Sequence, residues 1–111
     1  MNNLTESNQL KPYTKEEMRE RFLQQCRNLA KYWSRVKDQT KEELCDGVVF
    51  SILNVIDGGS GGFPCAIDLV LRPHPEDKDY WITEGENWVE DGQVINNDTN
   101  LHDYYFKGEQ Q

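Results

Sequence analysis

The chain has 111 residues, of which 29% are charged, and a formal net charge of −8. This length fits one domain, and a mean hydropathy of −0.86 without an apolar run of about 18 residues excludes a membrane-spanning helix. The charge is uneven, because eight basic and five acidic residues give residues 1–39 a net charge of +3, whereas residues 40–111 carry −11.

Two helix starts can be read directly from the sequence. Residues 1–12 are polar and predict a loose N-terminal tail, before a single domain over 13–108 and a C-terminal tail at 109–111. The segment TKEE occurs at 14–17 and again at 40–43. Each is a capping box, in which the threonine hydroxyl accepts from the amide three residues on and the glutamate reaches back. Helices are therefore predicted over about 15–38 and 41–56.

The spacing of apolar residues makes the first of these helices amphipathic. Its apolar stripe consists of Met18, Phe22, Cys26, Leu29, Trp33 and Val36. A basic row, formed by Arg21, Arg27, Lys31 and Arg35, falls on the other side. The second helix is apolar on most sides from Val48 onward, which predicts a central position. The run GVVFSILNVI could also be a buried strand, but the capping box favours a helix.

Shorter elements are predicted in the second half of the chain. The Gly-rich segment 57–62 lacks a lysine and does not open a helix, so it indicates a turn rather than a phosphate-binding loop, with Phe63 and Pro64 as an anchor after it. The alternation in CAIDLVLR, residues 65–72, predicts a half-buried strand. A short helix should follow Pro75 and end at Gly85.

The remaining segments complete the predicted architecture. NWVEDGQVIN suggests a hairpin around Asp91–Gly92, and the last segment a short helix capped by Asp98 with Gly108 past its end. The predicted fold class is α+β: two antiparallel amphipathic helices packed on a small antiparallel sheet, with short C-terminal helical turns. The aromatic face of the last helix should pack on that sheet, or else form an exposed patch for a dimer or partner; it consists of Leu101, Tyr104, Tyr105 and Phe106.

The three cysteines predict no metal knuckle or redox pair, because no CxxC motif occurs. Cys26, Cys45 and Cys65 each have apolar neighbours and are interpreted as small core residues in a reducing compartment. No basic-then-apolar leader pattern opens the chain. We therefore expect a cytoplasmic protein without a cofactor.

Chemistry is concentrated in LRPHPEDKDYWITEGENW, residues 71–88. The candidate ligand or partner surface consists of His74, Glu76, Asp77, Asp79, Trp81, Glu86, Trp88, His102 and Asp103. Two imidazoles with nearby carboxylates could bind a metal ion, but no HExxH spacing is present. The favoured interpretation is a surface helix that His74 caps and that Tyr80, Trp81 and Ile82 anchor to the core.

No catalytic residue is predicted. Carboxylates are too abundant to select a pair, the cysteines lie on apolar faces, and Ser51 and Ser60 are not part of a GxSxG motif. The basic row of the first helix could grip phosphates, although four charges on a solvent-facing side are ordinary.

Four segments resemble, in order, a family of small uncharacterised bacterial proteins: GVVFSILNVIDGGSGGFP, LVLRPHPEDKDYW, GENW and LHDYYF, within roughly residues 22–106. The resemblance implies a soluble bacterial domain and assigns no activity or site residue.

The leading functional hypothesis is a soluble acidic interaction or accessory protein without catalysis, which binds another protein or a second copy of itself. Two alternatives stay open. One is a metal- or small-ligand-binding protein, hydrolytic or not, that uses His74, His102 and carboxylates between walls formed by Trp81 and Trp88. The other is a nucleic-acid accessory protein acting through the basic face of the first helix, although an acidic body disfavours nucleic acid. No membrane partner is expected.

Overall fold

A computed structural model describes residues 10–107, in which four helices are joined by irregular segments. They are α1 (Lys15–Ser34), α2 (Lys41–Ile56), α3 (Asp77–Thr83) and α4 (Leu101–Tyr105). None of the helices within these residues is long and apolar enough to cross a membrane. Most of the predicted N-terminal tail, the Gly108 stop and the C-terminal tail lie outside the described residues.

Both predicted capping boxes are confirmed. The Glu17 amide donates to Thr14 Oγ1 at 3.1 Å, and the Thr14 amide donates to Glu17 Oε1 at 2.8 Å. The equivalent distances at Thr40 and Glu43 are 3.0 and 2.8 Å. Helix α2 has the predicted bounds, but α1 ends four residues early, and the chain turns toward α2 with Asp38 at a φ of 64°.

Helices α1 and α2 form an antiparallel hairpin, since the end of α1 lies against the middle of α2 and the start of α1 lies near its end. Trp33 Nε1 donates to Ser51 Oγ at 2.9 Å. The Trp33 ring also covers the buried Gly47, where an added Cβ would lie 2.6 Å from ring carbons. At the opposite end, the rings of Phe22 and Phe63 meet edge to face with centroids 5.9 Å apart. The predicted apolar stripe of α1 is therefore confirmed as its packing face.

The core of the described chain is small. Its buried apolar side chains are Val55, Ile56 and Phe63, at the end of α2 and in the loop that follows. The helix ends there because Gly58 has a φ of 84°, a conformation that glycine adopts without strain. Its amide donates to the Val55 carbonyl and the Gly59 amide to the Asn54 carbonyl, which is a Schellman cap. The turn over 57–62 and the Phe63 anchor are thus confirmed.

The predicted α+β fold is wrong, because residues 10–107 contain no strand or sheet. The segment predicted as a strand, 65–72, makes one isolated antiparallel bridge, between Val70 and Val94. Ladder pairing stops because the Asn96 side chain replaces backbone partners: Leu69 N donates to Asn96 Oδ1 at 2.9 Å, and Asn96 Nδ2 donates to the Ile67 carbonyl at 2.8 Å. These side-chain bonds occupy backbone groups that a regular ladder would use.

The predicted hairpin around Asp91–Gly92 is also wrong. These residues do form a turn, with Gly92 at a φ of 83°. The chain after the turn pairs with the segment around Val70 rather than with the residues before the turn. The Gly92 amide accordingly donates to the Leu71 carbonyl at 2.9 Å.

Helix α3 is confirmed, and it ends as predicted at Gly85, which has a φ of 75°. Its predicted attachment to the core is wrong. Tyr80, Trp81 and Ile82 are 56%, 39% and 49% exposed, because the described residues provide no sheet on which this short helix could pack. Cys26 is half-buried, but Cys45 and Cys65 are exposed, so the prediction of core cysteines is wrong for these two.

Candidate functional site

The predicted site residues lie in two groups. Seven of them, from His74 to Trp88, belong to α3 and its flanking turns, whereas His102 and Asp103 belong to α4. Among the hydrogen bonds and ring contacts of the described residues, none joins the first group to the second. The structure therefore gives the two histidines different roles.

His74 closes the turn that begins α3. Its Nδ1 atom accepts from the Glu76 amide at 3.2 Å, and its own amide donates to Asp77 Oδ2 at 3.0 Å. The Asp77 amide in turn donates to the His74 carbonyl at 2.9 Å. The prediction that His74 caps this helix is wrong, because the N-cap residue is Glu76 and no side-chain cap bond is formed. His74 instead stabilises the turn that precedes the helix. Asp77 also places a negative charge in the first turn, where the helix dipole favours it.

A cleft of about 290 Å³ lies between the start of α3 and the turn that precedes Gly92. We call it the α3 cleft; its lining comprises Pro73, His74, Pro75, Lys78, Val89, Glu90 and Asp91. Beside it, Lys78 Nζ lies 5.1 Å from the centroid of the Trp88 ring. Glu90 and Asp91 were not among the predicted site residues, because their segment was interpreted only as a hairpin turn.

The chain segment that includes this cleft, residues 73–95, combines acidic groups with exposed rings. Residues 73–95 hold seven acidic side chains and one lysine. The predicted Asp79 and Glu86 are exposed members of this set, as is Glu76. Trp81 and Trp88 are each 39% exposed, and Val89 is exposed as well. Together these residues form a negative surface with apolar area.

The second group is built around Asp57, the C-cap residue of α2, whose side chain is 1% exposed. Its carboxylate accepts from the Leu101 amide at 2.9 Å, the His102 amide at 2.8 Å and His102 Nδ1 at 2.6 Å. An acid at the C-terminus of α2 opposes that helix dipole, but the same charge complements the N-terminus of α4. The predicted cap, Asp98, is therefore wrong, because Asp57 supplies it from 44 residues away.

Hydrogen bonding determines the ionisation of Asp57. Burial alone would raise its pKa, but the hydrogen bonds from the His102 amide and imidazole and from the Leu101 amide, with the charge of His102, lower it overall. On its other side, His102 Nε2 lies 3.3 Å from Asp103 Oδ1. Both imidazole nitrogens thus face carboxylates.

Helix α4 packs on α2 through aromatic contacts. The rings of His102 and Phe106 contact Phe50 with centroids 5.5 and 5.6 Å apart, and Tyr105 Oη donates to Asp46 Oδ1 at 2.8 Å. The prediction that this aromatic face packs on a sheet is therefore wrong, because the face packs on α2 instead. Asp57 and Phe50 thus hold His102 at the α2–α4 junction, and Asp103 is exposed beside it.

The Asp57 contacts predict a specific pH dependence. Because its pKa is lower in the folded chain than in the unfolded chain, where it is about 4, Asp57 contributes stability above that pH. This contribution is lost as the pH falls through the folded-state pKa. Urea unfolding at several pH values should show that the stability difference between the native chain and Asp57→Asn shrinks on acidification. A difference that stays constant from neutral pH to pH 3 would contradict the assignment, and Asp98→Asn serves as the exposed control, since Asp98 does not contact His102.

The geometry gives little support to the two alternatives, metal binding and nucleic-acid binding. No group of three or more His, Cys, Asp or Glu residues within 10–107 is arranged to hold a metal ion. The basic row of α1 is exposed, with Arg27 paired to Glu20 and Arg21 lying 5.3 Å from the Tyr13 ring centroid.

In comparisons with known proteins, this chain matches no family model, no curated protein and no solved structure.

Proposed function

We propose that the protein is a small cytoplasmic interaction module without catalytic activity. Its α3 cleft and the acidic surface around it would bind a protein segment that presents Lys or Arg beside apolar residues. The observation that carries this proposal is the combination of carboxylates and exposed tryptophans within residues 73–95. The resemblance to a family of small bacterial proteins belongs to the same proposal and adds no residue role.

The exposed rings support binding rather than solvation alone. Tryptophan faces attract ammonium and guanidinium groups, and Lys78 of the chain itself lies over Trp88. A partner guanidinium is more weakly hydrated than an ammonium and can displace Lys78 from this face. Glu90 and Asp91 lie at the cleft to accept its N–H groups. An apolar neighbour in the partner would cover Val89 and Trp81, which are otherwise exposed.

Two synthetic peptides test this proposal. In one, arginine and leucine alternate; in the other, glycine replaces each leucine at the same charge. We expect the leucine peptide to bind more tightly, with a change in tryptophan fluorescence. The double variant Glu90→Gln/Asp91→Asn should weaken its binding about tenfold, because two charge-assisted hydrogen bonds are lost.

A charge-matched control separates the cleft from net charge. Glu16→Gln/Glu42→Gln removes the same two charges from exposed first turns of α1 and α2. This control should change the affinity by less than about twofold. Equal weakening by both double variants, or equal binding of both peptides, would mean that only long-range attraction is involved.

A further inference from the structure

The segment 66–72 has one bonded edge and one open edge. On the bonded side, Leu71 N donates to the Gln93 carbonyl at 2.8 Å, and Ile95 N donates to the Leu69 carbonyl at 3.0 Å. These two bonds flank the Val70–Val94 bridge, which makes it a non-hydrogen-bonded antiparallel pair. The N–H and C=O of Val70 therefore point away from Val94.

The same alternation extends along the segment. The odd-numbered residues bond inward, with Ile67 N donating to the Ile56 carbonyl at 2.8 Å and Leu69 N to Asn96. The backbone groups of Ala66, Asp68, Val70 and Arg72 form no hydrogen bond to any of residues 10–107. Val70 is also 47% exposed. We call this row of unpaired groups the 66–72 edge.

An edge of this kind is a template for another extended chain. Its own sequence matches an antiparallel copy of itself. When two such edges pair with Val70 opposite Val70, Asp68 of each copy lies opposite Arg72 of the other. Two complementary charge pairs then flank the centre, and the two-fold symmetry closes the assembly at two chains. Pro73 directly follows the segment; by the same alternation its nitrogen lies on the inward side, so it leaves the pairing intact.

An apolar groove lies next to this edge. It has a volume of about 450 Å³, and its lining includes Met18 and Phe22 of α1 together with Ile67 and Leu69 of the segment. Side chains of odd-numbered residues share one face of an extended chain. In the pairing centred on Val70, Leu71 of the second copy lies opposite Leu69, on the groove side. Self-pairing thus adds apolar contact where α1 leaves the groove uncovered.

We propose that the protein self-associates as a two-fold symmetric dimer, in which the 66–72 edges of two copies pair antiparallel with Val70 at the centre. This inference is independent of the proposed binding at the α3 cleft, which uses other residues. Asp68 and Arg72 determine the register of the dimer, and the backbone groups of Val70 form its central hydrogen bonds.

Charge reversal tests the register. Sedimentation equilibrium over a range of concentrations should give a monomer–dimer equilibrium for the native chain. Asp68→Arg and Arg72→Asp should each weaken dimerisation at least about tenfold, because like charges then face each other twice. The double variant Asp68→Arg/Arg72→Asp should restore it. A native chain that stays monomeric at all concentrations, or single variants that dimerise normally, would overturn the proposal.

A proline tests the backbone contribution separately. Val70→Pro removes an N–H on the open edge while leaving the inward bonds of Leu69 and Leu71 possible. Far-UV circular dichroism should show retained helix, and sedimentation should show loss of the dimer. A folded Val70→Pro variant that still dimerises would overturn the proposal. If the variant does not fold, the outcome rests on the charge-reversal series, in which rescue by the double variant supports the pairing and failure of rescue rejects it.

Discussion

Replacement of Gly47 by valine is expected to destabilise the protein by about 2–3 kcal/mol, because its side chain would overlap the Trp33 ring. An added Cβ at this position lies 2.6–2.7 Å from three ring carbons. The ring cannot easily move, since Trp33 Nε1 is bonded to Ser51 and the indole lies between two helices. Glycine in a helix interior costs about 1 kcal/mol relative to alanine, so close helix packing explains its presence here.

The matched control for this variant is Gly61→Val. An added Cβ at Gly61 meets no atom within 4 Å, and its φ is not positive. We expect this control to change the free energy of unfolding by less than about 0.5 kcal/mol. Urea unfolding followed by circular dichroism measures both variants. Equal stability of Gly47→Val and Gly61→Val would contradict the packing of α1 against α2.

Removal of the Asp57 carboxylate should have a second large effect. In Asp57→Ala, two backbone amides and an imidazole N–H lose a buried acceptor at once. Leaving buried donors unsatisfied costs about 3 kcal/mol in total, and only a few tenths return from removing an acid at the end of α2. Helix α4 should detach from α2, which limited proteolysis within residues 101–105 and a lower melting temperature would report.

Asp98→Ala is the informative control, since Asp98 is the cap that the local sequence suggests. It is exposed, and the amides of Leu101 and His102 bond to Asp57 instead. Its replacement should leave both protease resistance and the melting temperature close to those of the native chain. Greater destabilisation by Asp98→Ala than by Asp57→Ala would show that α4 is capped locally.

Features determined by neighbouring residues could be predicted from the sequence. The two TKEE segments, the apolar stripe of α1 and the stop at Gly85 each depend on groups within about one helical turn. The alternation in CAIDLVLR is also local, but it describes only one strand of a pair. Whether a ladder forms depends on the partner segment. Here the Asn96 side chain, and not a partner backbone, bonds the backbone groups of Leu69 and Ile67.

The site was predictable in part for the same reason. Sequence alone indicated the acidic and aromatic residues from His74 to Trp88, but it gave His74 as a helix cap, whereas the N-cap residue is Glu76. It gave no sign that Asp57 binds His102, because the two are 45 residues apart. Glu90 and Asp91 lie in a segment with the composition of a turn, so the sequence did not indicate that they line one cleft with Lys78. Tyr80, Trp81 and Ile82 have the composition of a core segment, yet the described chain offers them no surface to cover.

The double use of Asp57 has a consequence for the order of folding. Helix α4 has five residues, too few to persist in water without outside support. Asp57 supports it, but Asp57 is positioned only when α2 has ended at its C-cap. A loop of more than forty residues must also close before Asp57 can bond α4. Helix α4 is therefore expected to form late in folding, after the α1–α2 hairpin has already formed.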